Sequence, residues 1–130
     1  MALVNKSSVN LCSAQSIAAA TAAPAPGAGI LSTNTVTGTN SFGLGISGII
    51  TNAATGPTIS VTVQVVGSRD AGTTYYMIDQ VQGLLGNSIV TQFSFNNIPD
   101  GWSLIALRSG GNTGQAVTIS ADAMWGASIT

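Results

Sequence analysis

From residue 41 onward, apolar and polar residues alternate with a period of two. The period is clearest over residues 59–65, and it recurs over residues 89–96 and 117–124. Successive side chains of a β-strand point to opposite faces, so this period predicts strands with one buried and one polar face. No stretch shows the alternation of strands with long helices that marks a parallel α/β fold. The pattern therefore predicts an all-β domain.

Further strands are predicted where apolar runs lie between turns. Residues 75–81 and 102–108 are short apolar runs, whereas residues 42–50 carry three glycines, which is typical of a bulged or closely packed strand. Turn residues separate the strands at residues 52–57, 69–73, 82–87, 97–101 and 110–115. Short strands at such regular spacing predict an antiparallel β-sandwich, jelly-roll-like in its order.

The first 40 residues differ in character. They are rich in Ala, Ser, Thr and Asn, and Pro24 to Gly27 interrupt them. We interpret residues 1–40 as an extended arm with little regular structure, containing one or two strands such as residues 1–4 and 31–37. A short Ala-rich helix over residues 13–23 is an alternative. Residues 41–130 form the sandwich domain in this interpretation.

Charge is unusually scarce. The 130 residues carry no histidine and no glutamate, and the formal net charge is −1. Three cations spread along the chain cannot form the basic stripe that binds a phosphate backbone, so we expect no nucleic-acid partner. They also give no attraction to an anionic membrane surface, and we expect no membrane partner. The charged residues are Lys6, Arg69, Asp70, Asp79, Asp100, Arg108 and Asp122.

The same scarcity removes most catalytic chemistry. A nucleophilic triad needs a base beside its serine or cysteine, and the chain has no histidine to serve. The aspartates fall in turns or on polar strand faces, where solvated structural roles suffice. Residues 96–101 place three oxygen-bearing side chains near one another, but they also read as an ordinary turn. We therefore expect no enzymatic activity, no cofactor, no metal site and a simply buried Cys12.

Aromatic residues and the apolar residues of the arm are the candidates for intermolecular contact. Tyr75 and Tyr76 are adjacent in a strand, so one should face the core and the other solvent. Trp102 opens a strand beside a turn, and Trp125 continues the inward-facing set of the last strand. Large aromatic side chains are enriched in protein interfaces. The predicted interface residues are Leu3, Val4, Ile30, Leu31, Tyr75, Trp102 and Trp125.

One segment carries a family resemblance. Residues 61–76 run VTVQVVGSRDAGTTYY: a strand, a Gly-Ser-x-Asp-x-Gly turn, two threonines and two tyrosines. This segment resembles a hairpin that recurs in β-sandwich proteins of tailed-phage virions. With its low charge and its Ala/Ser/Thr/Gly bias, the chain resembles a head decoration, or cement, protein. Such a resemblance implies a trimeric β-rich protein on the outer capsid surface, with an N-terminal arm that bridges subunits of the major capsid protein.

Two other classes of protein remain open. A tail or fibre module that binds host glycans would expose at least two aromatic side chains on one face or one loop cluster. A surface-layer or pilus-like subunit is a third possibility, for which a signal peptide would be expected. Polar residues interrupt the N-terminal region, so the sequence does not predict such a signal.

Overall fold

A computed structural model of the chain describes residues 4–19, 36–37, 42–96, 98 and 101–129. Over these residues it forms two four-stranded antiparallel sheets, in the orders β1-β8-β3-β6 and β2-β7-β4-β5. This order is that of an eight-stranded jelly roll, so the predicted all-β sandwich is confirmed. The strands are β1 (Val4–Ile17), β2 (Val36–Thr37), β3 (Phe42–Asn52), β4 (Thr62–Ser68), β5 (Tyr76–Gln82), β6 (Val90–Phe95), β7 (Leu104–Gly110) and β8 (Val117–Ile129).

The core lies between the two sheets. Every second residue of the central strands contributes to it, as the period of two requires. Gly48 lies at the centre of the first sheet, where any side chain would overlap the Ser120 carbonyl oxygen and the Phe93 ring. A register shift between Phe42 and Gly45 confirms the bulged strand that the glycines predicted. The largest buried core residues include Leu11, Ile46, Ile50, Leu107 and Ile119.

The first part of the predicted arm is different from what we expected. Low regular structure does not describe Val4–Ile17, a 14-residue strand that pairs with β8 along its length. Its register shifts at three places, and consecutive Leu11 and Cys12 are both buried. Each bulge resets the alternation of faces, so the period of two that identifies a strand is lost. This strand also takes up residues 13–17 of the alternative helix. The division of the chain at residue 40 stays a prediction.

The strands connect at two opposite ends of the sandwich. We call one the loop end; it comprises residues 17–19, 52–61, 83–89 and 111–116. At the other end, residues 67–76 and 101–104 come together, because Gly67 pairs with Tyr76 and Ser68 with Leu104. We call this the aromatic end.

Candidate functional site

At the loop end, one buried side chain holds an exposed loop. Asn52 is 5% exposed, and its Nδ2 donates to the carbonyl oxygens of Leu84 and Gly86, each at 2.9 Å. Its backbone N–H donates to the carbonyl of Ile89. An asparagine amide has two hydrogens to donate, and Asn52 gives both to this loop. The buried Asn52 side chain therefore fixes the loop between β5 and β6 from the side that faces the protein interior.

Two more asparagines join the other loops of this end. Asn87 Oδ1 accepts from the backbone N–H of Gly56 at 2.9 Å, linking the loops before β4 and before β6. Asn112 is fully buried, and its Nδ2 contacts the carbonyl oxygens of Ile17, Ala18 and Gln115. The end of β1 is thereby held to the loop between β7 and β8. Side-chain amide hydrogen bonds therefore join the loops of this end to one another.

Large apolar side chains project from the same end. Leu84 is 60% exposed, Leu85 57% and Ile59 57%, and Val90 at the start of β6 is also exposed. None of the residues that form the loop end carries a charge. Several exposed large apolar side chains in one region of a surface mark an interaction site more often than a single one does, and three of these four belong to the loop end. The loop end is therefore a candidate contact surface.

The aromatic end is built on ring packing. Trp102 lies against Gly67, where a Cβ would overlap the indole ring. Exposed Tyr76 packs beside it, with the ring centroids 6.3 Å apart. The Arg69 guanidinium carbon lies 4.9 Å from the Trp102 ring centroid, a cation–π distance. Arginine, tyrosine and tryptophan are the residue types that most often dominate binding energy in interfaces.

A hydrogen-bonded turn precedes this aromatic cluster. Asp70 Oδ1 accepts from Ser68 Oγ at 2.7 Å and from the Thr74 backbone N–H at 2.8 Å. The hydrogen bond from Thr74, followed by that from Ser68, lowers the pKa of the Asp70 carboxyl below its ordinary value. The carboxylate therefore acts as a turn-fixing acceptor, as the position of Asp70 in a turn predicted.

The outer face of the β1-β8-β3-β6 sheet carries two adjoining depressions, of about 590 and 390 Å³. Ser47 and Asp122 line both of them. Asp122 accepts a 2.8 Å hydrogen bond from Asn10 Nδ2 on the neighbouring strand. Hydroxyl and amide side chains line half of the first depression, and half-buried Trp125 lines the second with Lys6. This surface can donate and accept hydrogen bonds to an uncharged ligand.

The second sheet has a buried polar row. Arg108 is 3% exposed, and its Nε donates to Gln64 Oε1 at 2.8 Å. Gln64 Nε2 in turn donates to Gln80 Oε1 at 3.1 Å, so the row crosses three strands. Burial lowers the pKa of the Arg108 guanidinium, but arginine titrates so high that the charge is kept at neutral pH. We regard this row as a structural part of the sheet.

Side chains that could hold a metal ion do not cluster in the described part of the chain. No group of three or more His, Cys, Asp or Glu side chains converges there. Cys12 is buried, as predicted, and burial raises the pKa of its thiol. No helix within residues 4–19, 36–37, 42–96, 98 and 101–129 is long and apolar enough to cross a membrane.

The predicted interface residues fall in different places. Leu3, Ile30 and Leu31 lie outside the described residues, and Val4 begins β1. Tyr75 is buried with Val66 and Ala106, while its neighbour Tyr76 is exposed, which is the division between core and solvent that we expected. Trp102 and Trp125 are half-buried against the core. The structure brings Trp102 to the aromatic end and Trp125 to the second depression, so the two tryptophans lie on separate surfaces. Their role in an interface stays a prediction.

Comparison with known proteins gives a fold and no family. No protein-family model matches the sequence, and no curated protein matches it. The structure is similar to that of infectious bursal disease virus Gx strain, with a TM-score of 0.58 and 9% identity over 95% of this chain. It is also similar to the infectious bursal disease virus VP2 subviral particle, with a TM-score of 0.53 and 14% identity over 93% of this chain.

In both viral structures this chain spans 32% of the length of the compared chain. The prophage protein YomS from SPBc2 is covered over 95% of its length, but its TM-score of 0.46 is too low to support an argument. At these identities the likeness shows a shared fold alone. This protein therefore shares its β-sandwich fold with part of these two viral structures.

Sequence reasoning missed the loop end. Leu84 and Leu85 stand within residues 82–87, which we read only as a turn. Two adjacent leucines between glycines were the available signal, because turns are ordinarily polar. The role of Asn52 could not be predicted from local sequence, because its hydrogen-bond partners lie 32 and 34 residues away in the chain.

Proposed function

We propose that this protein is a structural component of a virus particle, and more narrowly a decoration, or cement, protein on the outer capsid surface. In this role it bridges neighbouring subunits of the major capsid protein and acts as a homotrimer without catalysis. The observation that carries the proposal is the jelly-roll sandwich, whose two opposite ends each offer a candidate contact surface. A bridging protein needs at least two such surfaces.

Three further features support a structural role. The shared fold extends to a protein described as a virus subviral particle. The seven charged residues give little repulsion between copies packed closely on a shell. Many identical weak contacts on one shell would also add through avidity, so no single contact needs to be strong.

Binding to assembled shells tests the proposal. Shells of the virus that encodes this chain, prepared without it, are mixed with the purified full-length protein and sedimented. We expect saturable binding to shells, weaker binding to isolated capsid subunits, and a higher temperature of shell disruption. A protein that stays in the supernatant at all concentrations would contradict the decoration role.

The bridging role of the arm is better tested by substitutions than by deleting residues 1–40. Removing residues 1–40 would also remove β1, with its buried Leu11 and Cys12, and would leave β8 as an uncovered edge of its sheet. Substituting Ile30→Ser and Leu31→Ser instead leaves β1 intact. We expect weaker shell binding with an unchanged unfolding temperature. Unchanged binding would remove these two residues from the predicted interface.

A glycan-binding module is the second candidate. Exposed Tyr76 packs beside half-buried Trp102, so one of the two exposed aromatic side chains that this function predicts is present at the aromatic end. The hydroxyl and amide groups that line the depressions of the β1-β8-β3-β6 sheet offer a second surface for sugar hydroxyls. Retention on immobilised host polysaccharide, lost in Tyr76→Ala, would favour this candidate. No retention together with shell binding would favour decoration.

A further inference from the structure

The loop at residues 83–89 is organised for burial although its side chains are exposed. The backbone N–H of Gly83 donates to the Val61 carbonyl, and that of Leu84 donates to Thr91 Oγ1 at 2.9 Å. The carbonyl oxygens of Leu84 and Gly86 accept from Asn52. These four polar groups already have partners, so an apolar neighbour can cover them without leaving them unsatisfied.

We infer that the loop end is the surface through which copies of this chain associate, with Leu84 and Leu85 at its centre. The inference rests on the proposed function, which includes self-association, and it identifies the surface through which the copies would meet. It requires no charged partner, because the leucines would be buried against the uncharged loop end of a second copy.

Charge favours a second copy as the occupant. When identical surfaces meet about a two-fold axis, a charge close to the axis comes near its own duplicate. The loop end carries no charge, so copies can meet there without such repulsion. The aromatic end carries Arg69 and Asp70, and the outer face of the β1-β8-β3-β6 sheet carries Lys6 and Asp122. A charged partner, by contrast, would lose hydration at the loop end and gain no counter-charge.

The area available sets the strength of this contact. Leu84, Leu85 and Ile59, the large exposed apolar side chains of the loop end, are each more than half exposed. At roughly 100 Å² for each side chain, they supply roughly 300 Å² per copy. A stable interface buries about 800 Å² per partner, so the polar loop residues must supply the remainder. We therefore expect association that depends on concentration rather than a permanent oligomer.

The test compares two matched pairs of substitutions. Leu84→Gln with Leu85→Gln alters the loop end. Tyr76→Gln with Met77→Gln alters an adjacent pair of similar exposure, 55% and 52%, near the other end. Masses are measured by sedimentation velocity from low micromolar to millimolar protein. Thermal unfolding followed by circular dichroism confirms that each variant is folded.

We expect the wild-type mass to rise from that of the 12.9 kDa chain towards two or three chains. In the Leu84/Leu85 variant the dissociation constant should rise at least tenfold, while the Tyr76/Met77 variant should resemble wild type. Association that is equally strong in both variants would overturn the inference and leave self-association itself standing.

A wild-type protein that is monomeric at every concentration would overturn both the inference and the proposed homo-oligomer. The shell-binding experiment would still test the decoration role separately. Flotation with vesicles of neutral phosphatidylcholine tests whether the loop end binds a lipid surface instead of a second copy. Lipid binding by a monomeric wild type, lost in the Leu84/Leu85 variant, would assign the loop end to a lipid surface instead.

Discussion

The two ends of the sandwich are held together by different chemistry. At the loop end, the side chains of Asn52, Asn87 and Asn112 connect loops that are far apart in the sequence, and the leucines point outward. At the aromatic end, Trp102 packs inward on Gly67, and Tyr76 and Arg69 surround it. The loop end thus exposes three large apolar side chains, whereas the aromatic end packs its largest one against the core.

This difference separates side chains that stabilise the fold from side chains that are available to bind a partner. Where hydrogen bonds order a loop, its apolar side chains are not needed for the core and remain available for a partner. Where a ring fills the gap left by a glycine, the same side chain serves the core first. We therefore expect substitutions at the aromatic end to affect folding, and substitutions of the exposed leucines to affect association.

Removing the indole should have the largest effect. Trp102→Ala would leave a cavity above Gly67 and remove the ring that contacts Tyr76. Because the side chain is half-buried, we expect the free energy of unfolding to fall by about 3 kcal/mol, at the low end for such truncations. Urea denaturation at neutral pH measures this. A loss below about 1 kcal/mol would show that ring packing does not hold this end.

Asn52→Ala should rank second. It removes the donor for two loop carbonyls, and partly buried acceptors without partners are costly, so we expect a loss of about 2 kcal/mol. Asn87→Ala is the matched control, since Asn87 is exposed and accepts one hydrogen bond at 2.9 Å. Its loss should be under about 1 kcal/mol. Equal losses in the two variants would contradict the special role of Asn52.

Arg69→Ala should have a smaller effect, because its interaction with Trp102 occurs at an exposed position. A cation–π pair at such a site contributes about 0.5 kcal/mol, and that is the expected change in the free energy of unfolding. Arg69→Lys keeps a cation near the ring and should lose less. A loss as large as that in Trp102→Ala would mean that Arg69 orders the whole end.

The smallest effect on stability should come from Asp70, and it should depend on pH. The pKa of Asp70 is lowered in the folded protein, so its carboxylate stabilises the fold above the unfolded value of about 3.9. That contribution disappears as pH falls through the lower folded pKa. Asp70→Asn should therefore be slightly less stable at neutral pH and should lose less stability than wild type on acidification below about pH 4. Thermal unfolding across this range measures both. If the unfolding temperatures of wild type and Asp70→Asn change in parallel with pH, the role of the Asp70 hydrogen bonds is contradicted.

Several parts of the molecule could be predicted from local sequence. The alternation over residues 117–124 falls within β8, and that over residues 59–65 overlaps β4, which begins at Thr62 and leaves Ile59 exposed. One of the two adjacent tyrosines is buried and the other exposed, as expected. The polar strand β1 was not predicted, because its bulges break the alternation. The pair Leu84 and Leu85 was visible in the sequence, but a turn assignment says nothing about how its side chains are exposed or what lies beside them.

By itself, the sequence determined the class of fold and the scarcity of charge, because strand periodicity and composition are local properties. Only the tertiary structure decided which residues share a surface. Asn52 meets Leu84 and Gly86 across more than 30 residues, and Ile59 shares the loop end with Leu85. Such placements follow from the order of strands in the two sheets. That order is set by packing between segments distant in the chain, and no local pattern encodes it.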